Sequence, residues 1–241
     1  MLIDAGQVFR VLVVSATQHG VAIDDPDAID AFLADEQMLE ETTTLIKQVY
    51  AMDHDERDAL IYTNEVGANS AKIGARPKSQ NFKDGLLKKW LRDARIEGYE
   101  VVLLDGRALE EVGGMLADEK LCDYRYGFYF VCDAQVGARR TLGYASQAYD
   151  ELSDDEKSQV DVLVDQINAR NKSDRERAVH PIVPPQGAPT YILPEFATAA
   201  DVSTERALFI VDTSAEMTKD EMVQSIVSFV ESVFAYEKAD R

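Results

Sequence analysis

Short apolar runs that end at an aspartate recur along this chain, and stretches with a helical pattern of apolar residues separate them. This alternation indicates an α/β fold in which helices flank a parallel sheet, because parallel strands need long crossover connections. In such sheets ligands bind beyond the carboxyl ends of the strands. We therefore expect the aspartates that end the runs to lie near one edge of the sheet. The runs are Met1–Ile3, Tyr99–Leu104, Phe128–Cys132 and Ala207–Val211, followed by Asp4, Asp105, Asp133 and Asp212.

Helices are predicted where apolar residues recur every three or four positions, and Ser153 and Thr218 are expected to cap the last two of them. The apolar stripe around Trp90 is interpreted as core packing. By contrast, Thr43–Tyr50 and Ala59–Thr63 have the composition of strands on either side of a polar turn, so they predict a small antiparallel insertion. The predicted helices cover Val8–Ala16, Asp27–Leu39, Asn81–Arg95, Asp154 onward and Lys219–Tyr236.

The chain carries 44 acidic and 25 basic residues among 241, a net charge of −19. This balance argues against non-specific binding to nucleic acid or anionic membranes, which needs clustered lysine and arginine. The sequence has no apolar run of about 18 residues, the length that spans a bilayer. Its two cysteines, Cys122 and Cys132, are interpreted as thiols of a reducing compartment. We expect a cytoplasmic monomer without nucleic-acid or membrane partners.

Five sequence blocks occur in an order that is more specific than any one of them. The strongest is Arg170–Ile182, in which closely spaced basic residues precede a Pro-Ile ending. Together the five blocks resemble the bacterial cytidylate kinases, or (d)CMP kinases, over nearly the whole chain. The first block, Leu2–Arg10, is similar to the family segment that runs leucine, Asp, Ser or Thr, Gly and ends at an arginine. The others are Glu65–Ile73, which precedes Pro77 and the basic helix 81–95, then Leu104–Arg107 and Phe209–Ser214.

The resemblance implies a core like that of the phosphate-loop kinases with two additions. The core would comprise residues 1–35, 78–143 and 190–241. An insertion that binds the nucleoside monophosphate would cover residues 36–77, and a helical lid with its connection would cover residues 144–189.

The resemblance also implies transfer of the γ-phosphoryl group of ATP to CMP or dCMP, with Mg²⁺ as cofactor. This chemistry brings two polyanions together, so arginines must converge on the transferred group. Asp105 would order the magnesium shell through water. The implied catalytic residues are Arg107, Arg175, Arg177 and Asp105; the implied substrate-binding residues are Asp4, Gly6, Arg10, Lys83 and Gly106; further lid residues are Arg170 and Lys172.

Four positions depart from the family pattern. Ala5 stands in place of a hydroxyl-bearing residue, and Ala108 in place of the acid that would read the base. Ser173 replaces a lid arginine, and Tyr62 stands where an arginine is usual. The change at Ala108 bears on cytosine selectivity, since a polar contact is what rejects a wrong base.

The family's phosphate-binding loop, Gly-x-x-x-x-Gly-Lys-Ser/Thr, has no counterpart in residues 1–241, which contain no Gly-Lys dipeptide. The strand before this loop is the middle one of the family's sheet, so without it the backbone groups of two neighbouring strands would lack partners. Two explanations stay open, a loop upstream of Met1 or a rearranged sheet. Three activities also stay open: (d)CMP kinase, kinase of another monophosphate, or non-catalytic nucleotide binding.

Overall fold

The computed structural model describes residues 1–107, 109–176, 181–193 and 206–239, with side chains described as far as residue 231. Arg177, one of the expected lid residues, and Ala108, one of the altered positions, lie outside these ranges. Within them, no helix is both long enough and apolar enough to cross a membrane.

The first of two compact units, Met1–Asp123, combines two short parallel strands with helices. Strand β1 pairs with β2 so that Asp4 lies beside Asp105 in the register. Aspartate or threonine side chains cap most of the helix starts by accepting hydrogen bonds from backbone N–H groups. The elements are β1 (Leu2–Asp4), α1 (Ala5–Gln18), α2 (Pro26–Phe32), α3 (Glu36–Ala51), α4 (His54–Ile61), α5 (Asn64–Gly74), α6 (Pro77–Ile96), β2 (Leu103–Asp105) and α7 (Leu109–Asp118).

Helix α1 is the centre of the core of this unit. It packs against α3, α4, α5 and α6, and Val8, Val11 and Leu12 are fully buried along it. A second cluster, which includes Ile3 and Leu87, joins β1 to α6 and α7. Because α1 follows β1 without a linking residue, the core that fixes α1 also fixes the end of β1.

The second unit, Tyr124–Arg241, contains a parallel sheet in the order β3-β5-β4. Phe209, Val211 and Phe229 are buried between β5 and the last helix. Thr218 caps that helix and Ser153 caps α9, as predicted. The elements are β3 (Tyr126–Val131), α8 (Ala134–Thr141), a 3₁₀ turn (Tyr149–Glu151), α9 (Asp154–Glu176), β4 (Thr190–Ile192), β5 (Ala207–Asp212) and α10 (Lys219–Ala239).

The prediction of an α/β fold with parallel strands flanked by helices is confirmed. The strands of the described residues form two sheets, however, where one was expected. Asp4 and Asp105 end the strands of the first sheet, while Asp133 and Asp212 lie at the strand ends of the second. The four aspartates are therefore divided into two pairs, one in each unit.

The predicted antiparallel insertion is wrong, because residues 36–77 form helices α3, α4 and α5 and the start of α6. The β-branched residues of α3 lie at helical spacing, with Thr42, Ile46 and Val49 buried against α1. The hydroxyl of Thr42 donates to the carbonyl of Met38 at 2.7 Å, so its polar group is satisfied within the helix. Packing of this buried face overrides the intrinsic preference of these residues for strands.

Two further boundaries differ from the predictions. The acidic helix expected over 27–39 is divided into α2 and α3, because Asp35 leaves the helical conformation and caps α3 through the N–H of Met38. The buried strand expected over 99–104 is reduced to Leu103–Asp105, with Leu103 55% exposed. Among the described residues β2 pairs with β1 alone, so it lacks the neighbours on both sides that bury a central strand.

Candidate functional site

The junction between β1 and α1 is organised by the carboxylate of Asp4. Its Oδ1 accepts hydrogen bonds from the backbone N–H of Gly6 at 2.8 Å and of Gln7 at 3.1 Å. The carboxylate therefore caps α1 and fixes the direction in which the helix leaves the strand. Two of the predicted substrate-binding residues, Asp4 and Gly6, are thus held together by one local contact.

Two tyrosines from α3 and the end of α4 converge on the same aspartate. The hydroxyl of Tyr50 donates to the Asp4 carbonyl at 2.5 Å and accepts from the Asp4 N–H at 3.1 Å. The hydroxyl of Tyr62 donates to Oδ2 of Asp4 at 3.1 Å. Both carboxylate oxygens of Asp4 are consequently occupied by neutral donors. Neither tyrosine was assigned a role from the sequence.

Arg10 lies five residues after the start of α1, and its guanidinium contacts the end of α4. Its Nη1 donates a 2.8 Å hydrogen bond to the carbonyl of Ile61, and its central carbon lies 4.5 Å from the ring centroid of Tyr62. A Cβ atom on Gly67 would lie 3.7 Å from the same Nη1, so the first turn of α5 also lies close to Arg10. Arg10 is therefore partly buried, and its guanidinium is held by contacts within the unit.

The turn after β2 brings Gly106 against the start of α1. Its φ of 149° is one that residues with a Cβ rarely adopt, and a Cβ here would lie 3.3 Å from that of Ala5. The turn leaves Asp105 and Arg107 exposed beside the β1–α1 junction. Of the four aspartates expected at one strand edge, the first unit thus brings Asp4 and Asp105 together, with Gly6 and Gly106 beside them.

Burial of the Tyr50 hydroxyl raises its pKa well above the ordinary value of 10.0, and the negative charges of Asp4 and Asp105 raise it further. Burial and the charge of Asp4 likewise raise the pKa of Tyr62. Both phenols therefore remain protonated donors at neutral pH. Trp90 packs against Tyr50 with 5.5 Å between ring centroids, which helps to hold the hydroxyl at Asp4.

The raised pKa of Tyr50 predicts a loss of stability at alkaline pH. The unfolded chain releases the tyrosine proton near pH 10, whereas the native state keeps it, so the native state binds more protons above pH 10. The stabilisation is thus complete below pH 10 and declines as the pH rises further. Urea unfolding between pH 8 and pH 11 should show a steeper decline for the wild type than for Tyr50→Phe. Equal slopes, with exposed Tyr99→Phe as the control, would show that Tyr50 is not the group responsible.

Lys83 belongs to the same unit but is 5% exposed on α6. Its ammonium lies 2.9 Å from Oδ1 of the neighbouring Asp84. This ion pair engages the cation inside the unit, so a contact between Lys83 and a substrate stays a prediction.

The expected lid residues occupy the second unit. Arg170, Lys172 and Arg175 are exposed on the last two turns of α9, and Ser173 is exposed among them. α9 packs against α8, which places Val160 in a small core of its own. These positions are compatible with ligand contacts, but their roles stay predictions.

Arg139 and Arg140 of α8 were not singled out from the sequence, although they hold the segment after β5. The guanidinium of Arg140 donates to the carbonyl of Thr213 at 2.7 Å and to that of Ala215 at 2.6 Å. Arg139 is 5% exposed and pairs with Glu216. Both arginines therefore act within the fold: Arg140 satisfies carbonyl groups at the carboxyl edge of the second sheet, and Arg139 holds the side chain of Glu216.

Comparison with known proteins assigns the chain to a family. The family model described as "Cytidylate kinase" matches residues 1–208, which include the β1–α1 junction, the turn after β2 and the described part of the lid block. The chain belongs to the cytidylate kinase family. No solved structure gives a significant match to it.

Relatives within the cytidylate kinase family are distant in sequence. The chain is 25% identical over 233 residues to the cytidylate kinase of Vibrio cholerae, covering 96% of this chain and 84% of the relative. It is 24% identical over 189 residues to that of Colwellia psychrerythraea, covering 78% and 75%. It is 24% identical over 194 residues to that of Pseudomonas syringae pv. tomato, covering 78% and 74%. The resemblance noted in the sequence is confirmed at the level of the family.

Two of the positions that depart from the expected cytidylate kinase pattern, Ala5 and Tyr62, lie at the β1–α1 junction. Ala5 directly follows Asp4 and contacts the turn at Gly106, so a methyl group lies where the resemblance led us to expect a hydroxyl. The ring of Tyr62 lies against the guanidinium of Arg10, and its hydroxyl donates a hydrogen bond to Asp4. Ala5 and Tyr62 therefore both lie in the immediate surroundings of Asp4 and Arg10.

Proposed function

We propose that this chain is a nucleoside monophosphate kinase of the (d)CMP kinase type, which converts ATP and CMP or dCMP to ADP and the diphosphate. The observation that carries the proposal is the arrangement at the β1–α1 junction. Asp4, Gly6 and an ordered Arg10 lie there beside the turn that carries Asp105 and Arg107. An arginine beside the carboxyl ends of parallel strands is a suitable partner for a phosphate.

In this proposal an oxygen of the acceptor phosphate attacks the γ-phosphorus of ATP. The bond from the γ-phosphorus to the bridging oxygen breaks, and ADP leaves with that oxygen. Arg10 and Arg107 bind the acceptor phosphate and reduce its repulsion of the incoming group. For Arg170, Lys172, Arg175 and Arg177 the proposal of phosphate contacts rests on the family match.

The residues at the site fit a magnesium ion that is bound mainly through water and substrate. The described residues contain no cluster of three or more potential metal ligands, so they offer no complete protein cage. Mg²⁺ commonly uses one or two carboxylates together with waters and substrate phosphates, and the exposed carboxylate of Asp105 suits that mode. When bound, the ion would neutralise charge on the transferred phosphoryl group.

A coupled assay of ADP release from ATP tests the proposal with purified chain. We expect release that depends on CMP or dCMP, and UMP in parallel tests whether the altered positions relax selectivity for the base. Titration of the same protein with CMP measures binding separately from turnover. CMP binding without ADP release would favour the non-catalytic nucleotide-binding alternative, whereas absence of both would overturn the assignment of the site.

A further inference from the structure

The guanidinium of Arg10 is fixed by two neighbouring groups at the end of α4. It lies over the ring of Tyr62, with its central carbon 4.5 Å from the centroid. Its Nη1 also donates to the carbonyl of Ile61 at 2.8 Å. The ring and the peptide carbonyl together restrict the positions that the guanidinium can take. An arginine ordered in advance loses less side-chain freedom when it binds an anion.

The hydroxyl of Tyr62 has a second consequence for Arg10, through Asp4. It donates to Oδ2 of Asp4, while the N–H groups of Gly6 and Gln7 occupy Oδ1. Neutral donors thus satisfy the carboxylate of Asp4. In the described part of the chain Arg10 forms no ion pair with a carboxylate, so its charge is not neutralised by a neighbour.

The residue type at position 62 explains why this arrangement is possible. The family usually has an arginine here, as noted from the sequence. An arginine at this position would bring a second cation near Arg10 and repel it, whereas the face of the tyrosine ring, with its centroid 4.5 Å from the central carbon of Arg10, attracts it. Tyr62 is 42% exposed, so the ring serves the contact with Arg10 more than the core. At position 62 a tyrosine ring that orients Arg10 thus takes the place of the expected arginine cation.

We propose that Tyr62 is a positioning residue, which orients Arg10 and keeps its charge available for the phosphate of a nucleoside monophosphate. This inference rests on the proposed function, in which Arg10 binds that phosphate. It goes beyond that proposal because it assigns a role to a position where the chain departs from its family.

The test compares the binding of CMP with that of cytidine, which lacks the phosphate. The dissociation constant of cytidine divided by that of CMP measures the contribution of the phosphate to binding. A purely structural role of Tyr62 would change both constants alike and leave this ratio unchanged. We expect Tyr62→Leu to lower this ratio about tenfold, because the guanidinium loses its stacking surface. Tyr62→Phe keeps the ring but loses the hydroxyl bond to Asp4, so it should lower the ratio by about threefold, less than Tyr62→Leu does. Tyr99→Leu, at an exposed tyrosine of the same unit, is the matched control.

A double-mutant cycle assigns the effect to Arg10. In an Arg10→Ala background, Tyr62→Leu should leave the remaining ratio unchanged. If Tyr62→Leu fails to fold, Tyr62→Gln repeats the test, since a polar residue suits a half-exposed position. A wild type that binds CMP no more tightly than cytidine would overturn the proposed function and the inference together. A wild-type preference for CMP that Tyr62→Leu leaves intact would overturn the role of Tyr62 alone.

Discussion

Replacement of Arg10 by alanine is expected to lower kcat/KM for CMP by about 30- to 150-fold. The estimate follows from the loss of charge-assisted hydrogen bonds worth about 2–3 kcal/mol, at about 1.4 kcal/mol per factor of ten. A steady-state assay of ADP release over a range of CMP concentrations measures the change. The effect should be large because Arg10 is already ordered by Ile61 and Tyr62 in the protein alone.

Two variants serve as controls for the Arg10 experiment. Arg92→Ala removes an exposed arginine from α6 of the same unit and should leave kcat/KM within about twofold. Arg10→Lys keeps the charge but loses the planar donor pair, so it should fall between the wild type and Arg10→Ala. The melting temperature of each variant shows how much the hydrogen bond from Arg10 to the carbonyl of Ile61 contributes to the stability of the fold. If Arg10→Ala and Arg92→Ala have equal kcat/KM for CMP, Arg10 does not contribute to binding or turnover of CMP.

Phe229→Ala is expected to destabilise the second unit by about 3–5 kcal/mol, the usual cost of truncating a buried phenylalanine. Phe229 is fully buried in α10, and its ring meets those of Tyr126, Phe128 and Phe209 edge-on, with centroids 5.4–5.9 Å apart. Hydrogen exchange followed by mass spectrometry should show lost protection of the amides of β3 and β5. The fluorescence of Trp90, the single tryptophan, reports on the first unit in the same sample.

The matched control for Phe229 is Val227→Ala in the same helix. Val227 is 38% exposed, so its truncation should cost less than about 1 kcal/mol. Equal loss of protection in the two variants would mean that the aromatic contacts of Phe229 do not hold the sheet together.

The sequence predicted those features that depend on local pattern. Alternating strands and helices located β1, β3 and β5 and the helices that follow β1 and β5, whereas α8 after β3 was missed. The aspartates at the strand ends followed from the same alternation. The local signals misled at Thr43–Tyr50, where residues with a preference for strands form a helix. That helix exists because its buried face packs on α1, a contact between distant parts of the chain that composition does not reveal.

The tyrosines of the candidate site were missed for the same reason. Tyr50 and Tyr62 bond to Asp4 across 46 and 58 residues of sequence, so no motif spacing could have joined them. The sequence showed that position 62 departs from the expected arginine, but it did not show what the tyrosine does. The contact between the ring of Tyr62 and Arg10 exists only in the folded unit. Family membership itself was accessible, since five ordered blocks span nearly the whole chain.

The most direct test of the central claim is the rate of ADP release from ATP with and without CMP, measured side by side for the wild type and Arg10→Ala. We expect the wild type to release ADP in a CMP-dependent manner and Arg10→Ala to lose most of that dependence while remaining folded. A wild-type rate that is the same with and without CMP would contradict the proposal of a nucleoside monophosphate kinase built around Arg10.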